Sequence, residues 1–253
     1  MIRIIMNGCN GRMGQAITSL ANSRSDVRIV CGVDTYTGIK NEYPVYTELS
    51  QVNEEADVIV DFSNPSSLEN MLDYAKGRNL PVIVATTGLS AKQKDLLKEI
   101  SKDIPIFFSA NMSLGVNLLI DLAAKAARIL EDTFDIEIIE KHHNQKLDAP
   151  SGTALQIADG INAVLSQPHE YVYDRHSVRK KRSKDEIGIH SLRGGTIVGE
   201  HSVVFAGQEE VIELTHIAQS RQVFAAGAIS AAKFICGKPA GFYNMQSLVN
   251  SVE

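Results

Sequence analysis

Over residues 2–109, short apolar runs alternate with stretches patterned for helices, and this alternation limits the chain more than any other feature. The runs fall at 2–6, 27–33, 57–62, 81–86 and 105–109. Helix-patterned stretches fall at 13–23, at 90–101, and from the pair Asn64-Pro65 onward, where proline suits the first helical position. Strands joined through helices run parallel, and a parallel sheet needs helices on both faces. The reading is an α/β chain with a doubly wound, Rossmann-like parallel sheet.

The pattern changes near Ser113. Residues 113–131 read as one long helix. Phe134, Ile136 and Ile138 then alternate with Asp135 and Glu137, as in a half-exposed strand. A helix is expected over 154–165 and a last one over 224–235. Between them, 187–193, 196–205 and 211–217 read as antiparallel strands, the first two joined at a Gly194-Gly195 turn. This predicts a second, α+β domain carrying a mixed, largely antiparallel sheet. Expected boundaries are 1–112 plus 222–253 for the first domain and 113–221 for the second.

Composition narrows the function classes. The net charge of −5 argues against a dedicated nucleic-acid binder. No apolar stretch approaches the roughly 20 residues of a membrane span, and the start lacks a secretory pattern. Three widely spaced cysteines, Cys9, Cys31 and Cys236, suit a reducing, cytoplasmic setting and small buried hydrophobes. The run RKKRSK at 179–184 reads, on an acidic chain, as a solvated loop or a subunit contact.

GCNGRMG follows the first apolar run and places Gly8, Gly11 and Gly14 ahead of a helix. Glycines allow a tight turn and close approach of a pyrophosphate, which the helix N-terminus would attract. Asp34 closes the second strand, about where a dinucleotide fingerprint puts the acid that binds ribose hydroxyls. Asn10, Gly11, Arg12 and Met13 complete the candidate cofactor turn. A carboxylate at 34 repels a 2′-phosphate and favours NADH; Arg12 could attract that phosphate or be solvated, which leaves NADPH open. Thr86, Thr87 and Gly88, and Ala110, Asn111 and Met112, follow later strands at the edge where such sheets bind ligands.

EKHHNQKLDAPSGTA, residues 140–154, packs His142, His143, Lys146 and Asp148 beside a helix start at Pro150, Ser151, Gly152 and Thr153. Exposed helix N–H groups next to cations suit a small polycarboxylate, and a histidine or the lysine could donate a proton. No H-E-x-x-H spacing supports a metal site, and no G-x-S-x-G elbow activates Ser151. His190, His201 and His216 fall on expected strands and read as sheet residues with hydrogen-bonded rings.

The stretch resembles the signature of the 4-hydroxy-tetrahydrodipicolinate reductase family, also called dihydrodipicolinate reductase. The resemblance runs through nearly the whole chain: GCNGRMG, DFSNP at 61–65, ATTG at 85–88, SANMSLGVN at 109–117, RGGTIVGEH at 193–201 and ELTH at 213–216. It implies NAD(P)H-dependent reduction of a dehydrated ring dicarboxylate on the diaminopimelate route to lysine. His142 would be the proton donor and Lys146 its partner, with His143, Lys146 and Ser151 to Thr153 binding carboxylates. Gly8, Arg12 and Met13 would lie at the cofactor's pyrophosphate, Asp34 at its ribose, and Gly88 with its threonines and residues 110–112 at the nicotinamide. A homotetramer built through the second domain's sheet is implied as well. Thr35 stands where members using both cofactors carry arginine, leaving Arg12 or Lys40 as substitutes, and Met112 stands where some carry an aromatic. The rival reading is a nicotinamide-binding sensor without turnover, which would not need the proton-donor and anion constellation.

Overall fold

The computed structural model describes residues 1–252 and divides them into two compact units. One is Met1–Leu114 with the chain from Arg221 onward; the other is Gly115–Ser220. In the first unit, β1 (Ile2–Asn7), β2 (Val27–Val33), β3 (Val45–Tyr46), β4 (Val58–Asp61), β5 (Val82–Val84), β6 (Pro105–Phe108) and β12 (Gly241–Tyr243) form one sheet in the order β12-β6-β5-β4-β1-β2-β3. Every pairing in it is parallel. The short strands β3 and β12 have no clear apolar run and escape a periodicity argument.

Alternation along these strands feeds two cores. Ile4, Met6, Val58, Val60, Ile83 and Phe107 pack on one face with Ile17 and Ala21 of α1 (Arg12–Asn22) and with Ala225, Ala228, Ala231 and Ala232 of α6 (Gln222–Ile235). Ile5, Ile59, Val82, Val84 and Ile106 pack on the other with Leu68, Met71 and Leu72 of α2 (Leu68–Gly77) and Leu97 of α3 (Ala91–Ile100). Two helix layers on a parallel sheet are what a doubly wound chain requires. Local chemistry starts the helices: Pro65 opens a 3-10 turn that leads into α2, and Ser90 with Gln93 forms a capping box on α3. Cys9 and Cys31 are buried in these cores, and desolvation pushes their thiols up to about 11 and about 12.

The second unit holds a five-stranded sheet, ordered β11-β10-β7-β9-β8. These are β7 (Asp135–His142), β8 (Glu170–Val172), β9 (Glu186–Arg193), β10 (Gly199–Ala206) and β11 (Val211–Ala218). β7 pairs antiparallel with β10 and parallel with β9; β10–β11 is antiparallel and β8–β9 parallel. So Gly194-Gly195 does not close a hairpin between β9 and β10. β7 lies between them, and the glycines bond instead to the chain after β7: Gly194 N–H donates to the His142 carbonyl (2.9 Å) and Asn144 N–H to that of Gly195 (3.2 Å). One face packs Ile136, Ile138, Ile187, Ile189, Val203 and Phe205 against α4 (Leu114–Leu130) and α5 (Gly152–Asn162). The RKKRSK run is not uniformly solvated: Arg182 bonds Glu137 (2.9 Å) and Asp135 (3.0 Å) on β7. No helix among the described residues is long and apolar enough to cross a membrane.

Gly227 lets α6 approach the chain that follows β6. A Cβ there would sit 1.6 Å from the Met112 carbonyl oxygen. Helix propensity alone predicts that Gly227→Ala stabilises by ~1 kcal/mol. Packing predicts the opposite sign, a loss of at least ~1–3 kcal/mol, read as a lower urea midpoint at unchanged slope.

Candidate functional site

In the first unit the candidate cofactor residues gather where β1 and β4 end. Sheet order reverses at this pair, which is where open α/β sheets bind ligands. Gly8 has φ +79°, and a Cβ there would lie 2.6 Å from the Phe62 carbonyl oxygen. A Cβ at Gly14 would lie 2.3 Å from the Gly8 carbonyl, so the first turn of α1 sits directly on the glycine turn. That helix starts with no side-chain cap and no acid in its first turn, a cradle suited to a pyrophosphate. A cavity of about 860 Å³ opens beside it, lined by Gly8, Gly11, Val33, Asp34, Thr35, Glu48, Phe62 and Ser63 among others.

Asp34 accepts from the backbone N–H of Asn10 (2.9 Å) and of Tyr36 (2.9 Å), tying the glycine turn to the loop after β2. Each oxygen keeps further acceptor capacity for a hydroxyl. The Asn10 side chain binds the Tyr36 carbonyl (2.5 Å) and Asn41 (2.8 Å), so it braces that loop. Arg12 is exposed and Met13 half-buried at the helix start. Thr86 is buried, and its hydroxyl donates to Asp61 (2.7 Å), while Thr87 and Gly88 are exposed at the strand edge. Asp61 also accepts from Asn7 (2.8 Å) and Ser63 (2.5 Å), which joins the ends of β1, β4 and β5. Burial pushes the Asp61 carboxyl above its usual range against those bonds. Ala110 is exposed and Asn111 half-buried, but Met112 is 2% exposed. Its side chain belongs to the same core as Ala225 and Ala228, so only its backbone is left for the nicotinamide contact expected of this loop.

In the second unit, β7 carries the key geometry. Residues two apart share a face of a strand. Ile136 and Ile138 face the helices, and Glu140 and His142 continue that row, 0% and 8% exposed. Both Glu140 oxygens accept from Arg193 at the end of β9, at 2.8 and 2.7 Å. One oxygen also pairs with His142 Nδ1 (2.5 Å) and the other with the Ser151 N–H (3.1 Å). Ser151 is the N-cap of α5, its Oγ accepting from Ala154 N–H (3.1 Å) and meeting His201 Nε2 (3.0 Å). His201 stands opposite Glu140 in the β10 register, and its ring lies edge-on to His142 at 5.2 Å between centroids.

The loop after β7 supplies the cation. Lys146 Nζ lies 2.8 Å from an Asp148 oxygen. Asp148 is held below the usual carboxylate range by Lys146 first, with the Gly152 N–H adding to it. A carboxylate therefore already rests on Lys146, just ahead of the start of α5. Gly152 is exposed, with nothing within 4 Å of where a Cβ would stand; Thr153 and His143 are half-buried. Desolvation pushes Glu140 up, but bonds from Arg193, Ser191 and His142 outweigh it and bring the carboxyl down to about 2. Glu140 is thus an ionised acceptor at neutral pH, so the hydrogen of a neutral His142 belongs on Nδ1. Nε2 is left to take and release a proton. Desolvation lowers His142 itself, against the pull of Glu140.

The structure brings His142, Lys146, Ser151, Gly152 and Thr153 together at one end of the second sheet. Glu140, Arg193 and His201 were not singled out from sequence as site residues, although all three lie within the quoted motifs. The Glu140/His142 spacing on a strand was the available signal. His201 is no ordinary sheet histidine, whereas His190 is paired to Glu137 (2.7 Å). Among the described residues, the buried side-chain atoms without a partner are Arg193 Nε, His201 Nδ1 and His216 Nδ1, so two of the three belong to this cluster. No group of three or more metal-ligating side chains among the described residues could hold a metal ion.

Burial, aided by the charge of a protonated His142, brings His201 down to about 4 from an ordinary 6.5. The unfolded chain then binds a proton at this residue that the folded chain refuses. Stability at this residue is unaffected above pH ~6.5 and falls as pH drops from there towards ~4. His201→Asn should flatten the decline in urea midpoint between pH 7 and 5, and an unchanged slope would refute the assignment.

The sequence matches the family described as dihydrodipicolinate reductase, N-terminus, over residues 2–112, and the corresponding C-terminus family over residues 115–249. A 4-hydroxy-tetrahydrodipicolinate reductase of Caldanaerobacter subterraneus subsp. tengcongensis is 54% identical, covering 98% of each chain. One from Clostridium tetani is 49% identical, over 99% of this chain and 98% of that one. Among solved structures, a dipicolinate-bound dihydrodipicolinate reductase from Paenisporosarcina sp. TG-14 superposes with TM-score 0.82 at 25% identity, covering 99% of both chains. With both halves matched and relatives this similar along its length, the chain belongs to the dihydrodipicolinate reductase family.

Proposed function

We propose that the chain reduces 4-hydroxy-tetrahydrodipicolinate, through loss of water, to tetrahydrodipicolinate on the diaminopimelate route to lysine. The observation that carries this reading is the carboxylate clasp. Lys146 holds the Asp148 carboxylate just ahead of the start of α5, beside a histidine whose free nitrogen is fixed by Glu140. A ring dicarboxylate needs those donors and a nearby acid. A nicotinamide cofactor held at the glycine turn and Asp34 would supply a hydride for ring carbon 4. Charge then moves toward the ring nitrogen side, and a proton must be delivered there. In this reading His142 Nε2 gives the proton, with Lys146 aiding the acid chemistry. Lys146, His143 and the Ser151–Thr153 turn exchange Asp148 for a substrate carboxylate. A sensor without turnover would need the cofactor turn but not this clasp.

NADH is the favoured cofactor. Every charged side chain lining the large cavity is an acid, Asp34 and Glu48, which suits ribose hydroxyls and opposes a 2′-phosphate. The sheet face away from the helices carries exposed Ile139, Leu192, Val211 and Ile217 beside charged residues such as Glu200. We assign that face to contacts between copies in a homotetramer, which sedimentation would read directly.

On freshly condensed pyruvate and aspartate semialdehyde, the native chain should oxidise NADH. Lys146→Ala should lose ~10²–10³-fold in kcat/KM with NADH affinity unchanged. Titrated by fluorescence, NADH should bind at least ~10-fold more tightly than NADPH, and Glu48→Gln should narrow that ratio. Tight NADH binding with no turnover of either cofactor would favour the sensor.

A further inference from the structure

We infer that Glu140 is the positioning residue of the site, one buried carboxylate that fixes the His142 ring and the first turn of α5 in register. The inference rests on the reading of His142 as proton donor. Its basis is that a single group makes both contacts: one oxygen meets His142 Nδ1, and the other accepts the Ser151 N–H. Arg193 occupies a further lone pair of each oxygen and also donates to the Asp148 carbonyl (2.7 Å), so the same clamp fixes the loop carrying Lys146. Proton donor and carboxylate binder therefore share one anchor.

Stability does not account for this carboxylate. Glu140 is fully buried, in line with Ile136 and Ile138, where a third apolar side chain would continue the core. A buried ion pair is often no better than apolar residues of similar volume. What an apolar residue could not do is demand a hydrogen on His142 Nδ1. Without that demand the neutral ring can place its hydrogen on Nε2, and the protonated ring loses its orientation. Gly199 leaves the far edge of the ring uncovered: a Cβ there would stand 3.1 Å from Nε2.

The charged and titratable groups facing His142 are Glu140 on its own strand, Arg193 on β9, His201 on β10 and Lys146 on the loop. Arg193 and Lys146 depress its protonation and Glu140 supports it. Removing the Glu140 charge should therefore move the alkaline limb of the kcat profile to lower pH.

The test uses the full chain. In native protein labelled with ¹⁵N histidine, long-range ¹H–¹⁵N spectra at pH 8 should show His142 as the Nδ1–H tautomer. An Nε2–H tautomer would overturn the inference without any variant. Glu140→Gln should lose ~10²-fold in kcat, shift the alkaline limb down and mix the tautomers, while NADH affinity holds. Glu140→Asp should recover part of the rate. A Glu140→Gln protein with kcat within ~2-fold of native and an unmoved limb would sink the proposal. His142→Gln separates the two readings: native turnover there removes His142 as donor, whereas a dead His142→Gln beside a native-like Glu140→Gln removes only the positioning role.

Discussion

The Arg193–Glu140 pair is the interaction on which the second unit's chemistry depends. Burying a carboxylate is costly, and desolvation alone would drive Glu140 towards its neutral form. Bonds from the Arg193 guanidinium, Ser191 and the His142 ring reverse that, and the Ser151 N–H is a further donor to the same carboxylate. They come from the ends of two adjacent parallel strands and the start of one helix. β7 can collect them only because it is interior to its sheet, with β9 on one side and β10, carrying His201, on the other. The sheet order that defeats the hairpin expectation is the same order that assembles this cluster.

The first unit uses carboxylates differently. Asp34 bridges the glycine turn to the next loop through two backbone N–H groups and remains half-exposed. Asp61 is sealed in and knits three strand ends together. The half-exposed acid keeps acceptor capacity open towards the cavity, and the sealed one keeps the edge rigid. Thr86 belongs with the second kind, although its position after a strand marked it for the first.

Much of this was legible because it is periodic or chemically local. The alternation of apolar runs with helix patterns gave the parallel sheet, and the strands at 27–33 and 105–108 lie where they were expected. Ser90 and Pro65 announce their helices through capping chemistry. Pairing partners were not legible: β9 and β10 alternate as a hairpin would, and nothing in either run says that β7 intervenes. Met112 misled because its loop lies at the ligand edge while its side chain turns into the core. Glu140 was hidden because an acid on a strand ordinarily faces water, and only the phase set by Ile136 and Ile138 places it inside.

The path of the chain has a consequence for how it is made. The second unit is inserted into the first, which is completed by α6, β12 and α7 (Met245–Val249). Ala225, Ala228, Ile229, Ala232 and Ile235 of α6 belong to the core over one face of the first sheet. On a ribosome that face has only α1 to cover it until the last ~30 residues emerge, so the unit begun first is finished last. The inserted unit, contiguous from Gly115 to Ser220, can fold beforehand. A nascent chain stalled before α6 would leave part of the core of Ile4, Met6, Val58 and Val60 without its second helix, making it a substrate for chaperones rather than a partly working enzyme.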